Sequence, residues 1–111
     1  MYNQGDILLV PVPFTDLSSQ KKRPVLVLSN NLYNKIADDI LVAAVTSNIA
    51  GKSFEISLNS DNMQDGILKI NSCVRVDKIY TLSQSIVIKK FGSVKKQILE
   101  HVKEKILKLI S

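Results

Sequence analysis

The chain has 111 residues, 45% hydrophobic and 23% charged, and its 15 Lys plus Arg against 10 Asp plus Glu give a formal charge of +5. This length suits one domain, residues 1–111, around one core, and the apolar content is too high for a disordered chain. The longest apolar stretch, Ile7 to Val10 continued through Pro11 to Phe14, falls far short of the roughly 20 residues of a membrane span. Asp6 interrupts any secretory signal, and Cys73, the only cysteine, rules out an intrachain disulfide and a cysteine-rich zinc site. These features predict a cytoplasmic protein without membrane association.

The charge is unevenly placed. Residues 1–88 carry eight basic and eight acidic groups, so the whole excess lies in the last 23 residues, where seven lysines face Glu100 and Glu104. That excess is read as general attraction for anions, separate from any chemistry. Only two of the cations, Arg23 and Arg75, are arginines, the side chain whose planar fork binds two oxygens at once.

In chain order, short β-rich runs dominate the first ninety residues. Residues 7–12 read as a strand; a polar stretch, Thr15 to Lys22, leads to a second at 24–29, with Pro24 at its first position, where proline is tolerated. Asn30 to Asp39 has room for one helical turn. Residues 40–47 form a nearly continuous apolar run, the pattern of a strand buried on both faces, and Phe54 to Leu58 alternates as a half-buried strand does. Asn59 to Gly66 reads as a polar turn, with further strands at 67–70, 73–76 and 85–89. From Ser93, taken as the N-cap, apolar residues at Val94, Ile98, Val102, Ile106 and Leu109 have helical spacing, with Lys95 and Lys105 intruding on that face. The expected fold is mainly β with a helix (α+β): a small barrel or sandwich closed by a C-terminal α-helix.

Few residues could do chemistry. His101 is the only histidine and borders the apolar face of the last helix, which leaves no histidine pair for acid–base work. There is no phosphate-binding glycine loop, and Asp38, Asp39, Asp61 and Asp65 fall in loop-like stretches as solvated turn residues. Arg75 and Asp77 alternate with Val74 and Val76, which suits an ion pair, and packing in the core or against another copy is the reading for Tyr33 and Tyr80. What remains is the polar, cationic loop Thr15-Asp16-Leu17-Ser18-Ser19-Gln20-Lys21-Lys22-Arg23, whose amides, hydroxyls and cations suit a phosphodiester backbone, and Thr46-Ser47 at the end of the most apolar run.

Taken together, these segments resemble the MazF/PemK-like toxin family. The resemblance runs through Gly5 to Val10, Pro13-Phe14-Thr15-Asp16, Lys22-Arg23-Pro24 to Asn30, Ala43-Ala44-Val45-Thr46-Ser47, Asp65-Gly66, Ser72 to Ile79 and Ile88 to Gly92. It implies an SH3-like β-barrel, a homodimer, and a toxin of a type II toxin–antitoxin pair. The implied activity is sequence-selective endonucleolysis of single-stranded RNA with neither metal nor cofactor, leaving a 2′,3′-cyclic phosphate, and the implied partner is an acidic cognate antitoxin. The family's catalytic arginine and threonine match Arg23 and Thr46, and its loop serine matches Ser18 or Ser19. RNA contacts are expected from Thr15, Ser18, Ser19, Gln20, Lys21, Lys22, Ser47 and Asn48. A topoisomerase poison on the same barrel, acting by protein binding, and a non-catalytic RNA-binding barrel are the alternatives.

Overall fold

A computed structural model describes residues 1–12 and 21–111. Seven strands form one antiparallel sheet: β1 (Asp6–Val12), β2 (Lys21–Val27), β3 (Asp39–Thr46), β4 (Glu55–Leu58), β5 (Met63–Gly66), β6 (Ser72–Ser83) and β7 (Lys89–Val94). Helix α1 (Asn31–Ile36) joins β2 to β3, and α2 (Lys96–Ile110) ends the chain. The strand order β4-β6-β3-β2-β1-β7-β5 makes a curled half-barrel with β4 and β5 at its edges. The mainly β fold with a C-terminal helix is as expected. No helix among the described residues is long and apolar enough to cross a membrane.

Instead of one core there are two, on opposite faces of β1, β2 and β3. Successive side chains of a strand point to opposite faces. Ile7, Leu26, Ala43 and Val45 accordingly enter one cluster, which α2 covers with Val102, Ile98, Leu99 and Ile106. Leu8, Val10, Val25, Val27, Ile40 and Val42 enter the other, against Tyr2, Tyr80, Leu82 and Val87. Both sides of β3 are thus apolar, which explains its nearly unbroken hydrophobic run. Tyr80 packs as expected, whereas Tyr33 is exposed on α1 and belongs to neither cluster.

The structure corrects four boundaries. Pro24 lies inside β2, not at its start, and is tolerated because β3 pairs only with Val25–Val27, leaving β2 a single neighbour, β1, at Pro24. Residues 67–70 are not a strand; the strand lies just before them, at β5, where a polar turn was expected. Residues Gln84–Ile86 form a 3-10 turn, and the strand expected at 85–89 begins at Lys89. Ser93 is not the cap of the last helix but part of β7, because its N–H and hydroxyl both donate to Asp65 Oδ1, at 2.7 and 2.6 Å. Lys95 takes the N-cap position without a side-chain cap bond.

The β5–β7 contact is unusually close. Gly66 pairs with Gly92, and both have positive φ, +79° and +152°. A Cβ on Gly66 would lie 2.1 Å from the Phe91 carbonyl oxygen, and one on Gly92 would lie 2.2 Å from that of Asp65, so no side chain fits at either position. Gly92→Ala should therefore destabilise the protein by about 3 kcal/mol or more, read from urea unfolding; a midpoint unchanged from wild type would contradict this packing. The paired Ser93 donors also hold the Asp65 carboxyl below its ordinary pKa. A lowered carboxyl stabilises the fold fully above the unfolded-state pKa, and that contribution is lost as pH falls through the lower folded-state value. Asp65→Asn should thus lower the Tm most near neutrality, with the deficit shrinking as pH falls toward about 3; a deficit independent of pH would contradict the assignment.

A cationic cleft between two diverging strands

The register of β2 against β3 is Val25↔Ala44, Leu26↔Ala43, Val27↔Val42, and the pairing stops there. Beyond it, β2 continues with β1, where Arg23 faces Val10, while β3 continues with β6, where Thr46 faces Cys73. Two strands that pair along one half and then follow different neighbours must open a gap between their ends. Carried two residues further, the register sets Arg23 across that gap from Thr46. Alternation puts Arg23 on the face of Val25 and Thr46 on the face of Val42, which is the same face of the sheet.

The gap is a cleft of about 750 Å³ whose lining includes Lys22, Arg23 and Pro24 on one side and Val45, Thr46 and Ser47 on the other. Its remaining wall is the segment from Gly66 to Ile70 with Ser72, Lys89, Lys90 and Phe91. Of the expected site residues, Arg23, Thr46, Lys22 and Ser47 are therefore brought together. Lys21 lies one residue outside the lining, and Asn48 contributes its backbone N–H, which donates to Thr46 Oγ1 at 3.1 Å. That bond uses one acceptor site of the hydroxyl and leaves its hydrogen available to a ligand. Thr15, Ser18, Ser19 and Gln20 lie outside the described residues.

The lining carries five cations, Lys22, Arg23, Lys69, Lys89 and Lys90, and no carboxylate among the described residues. Such a one-sign cleft with apolar walls concentrates anions. Lys69 was missed because it sits in a segment expected to be a strand. Lys89 and Lys90 were assigned to the general terminal excess, yet they belong to the cleft, delivered by the pairing of β7 with β1. Lys90 Nζ also lies 3.2 Å from Asp6 Oδ1, a carboxylate only 2% exposed, and Lys89 Nζ sits 4.9 Å from the centre of the Phe91 ring. Behind the site, burial pushes the Tyr80 phenol up to about 12, with the Arg23 charge acting in the opposite direction.

The other candidates fall elsewhere. Arg75 donates from Nε and Nη2 to the two oxygens of Asp77, at 2.8 and 2.7 Å, and stacks 4.7 Å from the Phe54 ring. The expected ion pair is there, and that bidentate contact holds the Asp77 carboxyl below its usual range. Asp65 is solvent-exposed as expected, but it stands in β5 and not in a turn, and it is the acceptor that fastens β5 to β7. His101 is exposed on α2 and absent from the cleft lining. Among the described residues no group of three or more His, Cys, Asp or Glu is placed to hold a metal ion.

Solved structures share this architecture. The Mycobacterium tuberculosis toxin MazF-mt6 superposes with a TM-score of 0.77 at 20% identity, covering 95% of each chain. An endoribonuclease in complex with its cognate antitoxin, from a mycobacterial species, gives 0.82 at 14% identity, over 99% of this chain and 95% of that one. MazE-MazF from Deinococcus radiodurans gives 0.78 at 22% identity, with coverage of 99% and 95%. A comparison with curated proteins found no match. Residues 3–110 match the family model described as the PemK-like, MazF-like toxin of type II toxin–antitoxin systems. With nearly its whole length matched and its fold shared, the chain belongs to the PemK-like, MazF-like toxin family.

Proposed function

We propose that this toxin is an endoribonuclease that cuts single-stranded RNA in the cleft between β2 and β3, without a metal ion. The observation that carries this reading is that Arg23 and Thr46 line one cationic cleft with no carboxylate among its described residues.

RNA supplies its own nucleophile. The 2′-OH attacks the adjacent phosphorus, the P–O5′ bond breaks, and the products are a 2′,3′-cyclic phosphate and a 5′-OH. The protein's task is then to hold the 2′-oxygen, phosphorus and 5′-oxygen in line and to stabilise the extra negative charge on the non-bridging oxygens as the phosphorus becomes five-coordinate. The Arg23 guanidinium offers two parallel donors to those oxygens, and the Thr46 hydroxyl, oriented by the Asn48 N–H, adds a third. Lys22 and Ser47 flank the pair and suit the neighbouring phosphates. Thr15, Ser18, Ser19, Gln20, Lys21 and Asn48 complete the proposed RNA contacts. The part given to Arg23 is charge stabilisation; the proton that leaves the 2′-OH passes to another group or to water, and the departing 5′-oxygen takes up a proton in the same way to become the 5′-OH.

The neighbour solved as an endoribonuclease with its cognate antitoxin supports both the activity and a partner. For this chain the antitoxin is an acidic segment drawn to the same cationic surface, with affinity that falls as salt rises, and the active toxin is a homodimer. Arg23→Ala and Thr46→Ala should remain folded by circular dichroism and should each cut a fluorescent RNA oligonucleotide in EDTA about 100-fold more slowly or worse. Arg23→Lys, which keeps the charge but loses the fork, should fall between wild type and Arg23→Ala. Near-wild-type rates for both alanine variants would reject this site.

A further inference from the structure

The wall of the cleft opposite Arg23 and Thr46 contains side chains that phosphate chemistry does not need. Ile67 and Ile70 are 69% and 65% exposed, and Phe91 is half-buried beside them. Apolar side chains left open to water do not stabilise the fold. The segment that carries the two isoleucines is tied down at both ends. At one end Gly66 is locked against Gly92, with Asp65 holding two donors of Ser93. At the other, Ser72 Oγ donates to the Ile70 carbonyl at 2.9 Å. A surface ordered in advance loses little entropy when a ligand settles on it.

We propose that Ile67, Ile70 and Phe91, with Lys69, form a nucleotide-binding wall that takes the base next to the scissile phosphate and selects which RNA sequences are cut. This rests on the cleavage reading above. Charge and continuity with that site favour an RNA base as the occupant: Lys69 lies within the apolar patch, suited to a flanking phosphate, and Lys89 sits at the Phe91 ring. Single-strand binders join such elements, an apolar or aromatic platform for the base and cations along the backbone. Arg23 and Thr46 act on the phosphodiester common to all sequences, so discrimination must come from surfaces that touch bases. This wall is such a surface, and it lies in the same cleft.

The test uses the whole chain. Wild type, the Ile67→Ser/Ile70→Ser double variant, Lys69→Ala and, as a charge control on the exposed outer part of α2, Lys108→Ala are incubated with a mixed RNA, and the new 5′ ends are sequenced. In parallel, binding is measured to an oligonucleotide of the preferred sequence with a 2′-deoxy residue at the cut. The double variant should bind this probe about tenfold more weakly, lose kcat/KM in proportion, and show a broadened cleavage sequence. Lys69→Ala should reduce the dependence of log affinity on log salt by about one, and Lys108→Ala should match wild type in both sequence preference and affinity. Unchanged sequence preference and affinity in the double variant would overturn the proposal, as would unchanged RNA binding with loss of affinity for an acidic, apolar peptide, which would give the wall to a protein partner. If wild type cuts no RNA, the cleavage reading fails by itself, and binding of the uncut mixed RNA decides on the wall: weaker binding by the double variant than by wild type supports it, and equal binding overturns it.

Discussion

Everything in the site depends on the register of three strands that are apolar on both faces. Slipping a strand by one residue exchanges its faces. For β2, such a slip would move Val25 and Val27 out of one core and Leu26 out of the other. Both faces are buried, so a slip would force Leu26 into the places of Val25 and Val27 and the reverse. The three side chains together contribute roughly 4.5–9 kcal/mol when buried and fitted, a large share of a domain's typical net stability of roughly 5–15 kcal/mol, and mismatched packing puts it at risk. The two cores thus fix Val25 against Ala44, and that pairing sets Arg23 across from Thr46. The cleft itself follows from topology, because β2 keeps β1 as its partner while β3 keeps β6.

A second fastening builds the opposite wall. Gly66 against Gly92 brings β5 close to β7, and the segment that follows Gly66 lines the cleft and carries Lys69 into it, while β7 brings Lys89 and Lys90. The net charge of +5 therefore has two parts of different meaning. Five of the seven terminal lysines lie at or beyond the start of α2, away from the cleft, while Lys89 and Lys90 stand in it beside Lys22, Arg23 and Lys69. Of the α2 lysines, Lys105 is committed to structure, its Nζ donating to the Ser53 carbonyl.

How much of this was legible in the sequence depends on the range of the interactions that decide each element. β1, β3 and β4 were recognisable because their hydrophobic runs report burial directly, and Arg23 and Thr46 because the spacing of motifs along the whole chain resembles one family. The segment from Met63 to Ile70 was misread, since its strand is made by a glycine–glycine contact 26 residues away in sequence, while Ile67 and Ile70, which look like a strand interior, face solvent. Ser93 was misread for a related reason: a residue of cap-forming type after a glycine is locally a helix start, but its donors are captured by Asp65 from another strand. The same contact hid Lys69 from the candidate site. Two cores were read as one because alternation within each strand shows that both faces are apolar without showing what covers each.

The central claim is that Arg23 and Thr46 promote attack by the RNA's own 2′-OH. It is tested most directly by mass spectrometry of the 5′ fragment left after the pure protein cuts an RNA oligonucleotide in EDTA. The account predicts a terminus lighter by one water than a 3′-phosphate, the 2′,3′-cyclic phosphate, and no cut at that position when the single 2′-OH there is replaced by hydrogen. A 3′-hydroxyl terminus, or undiminished cleavage of the 2′-deoxy substrate, would contradict it.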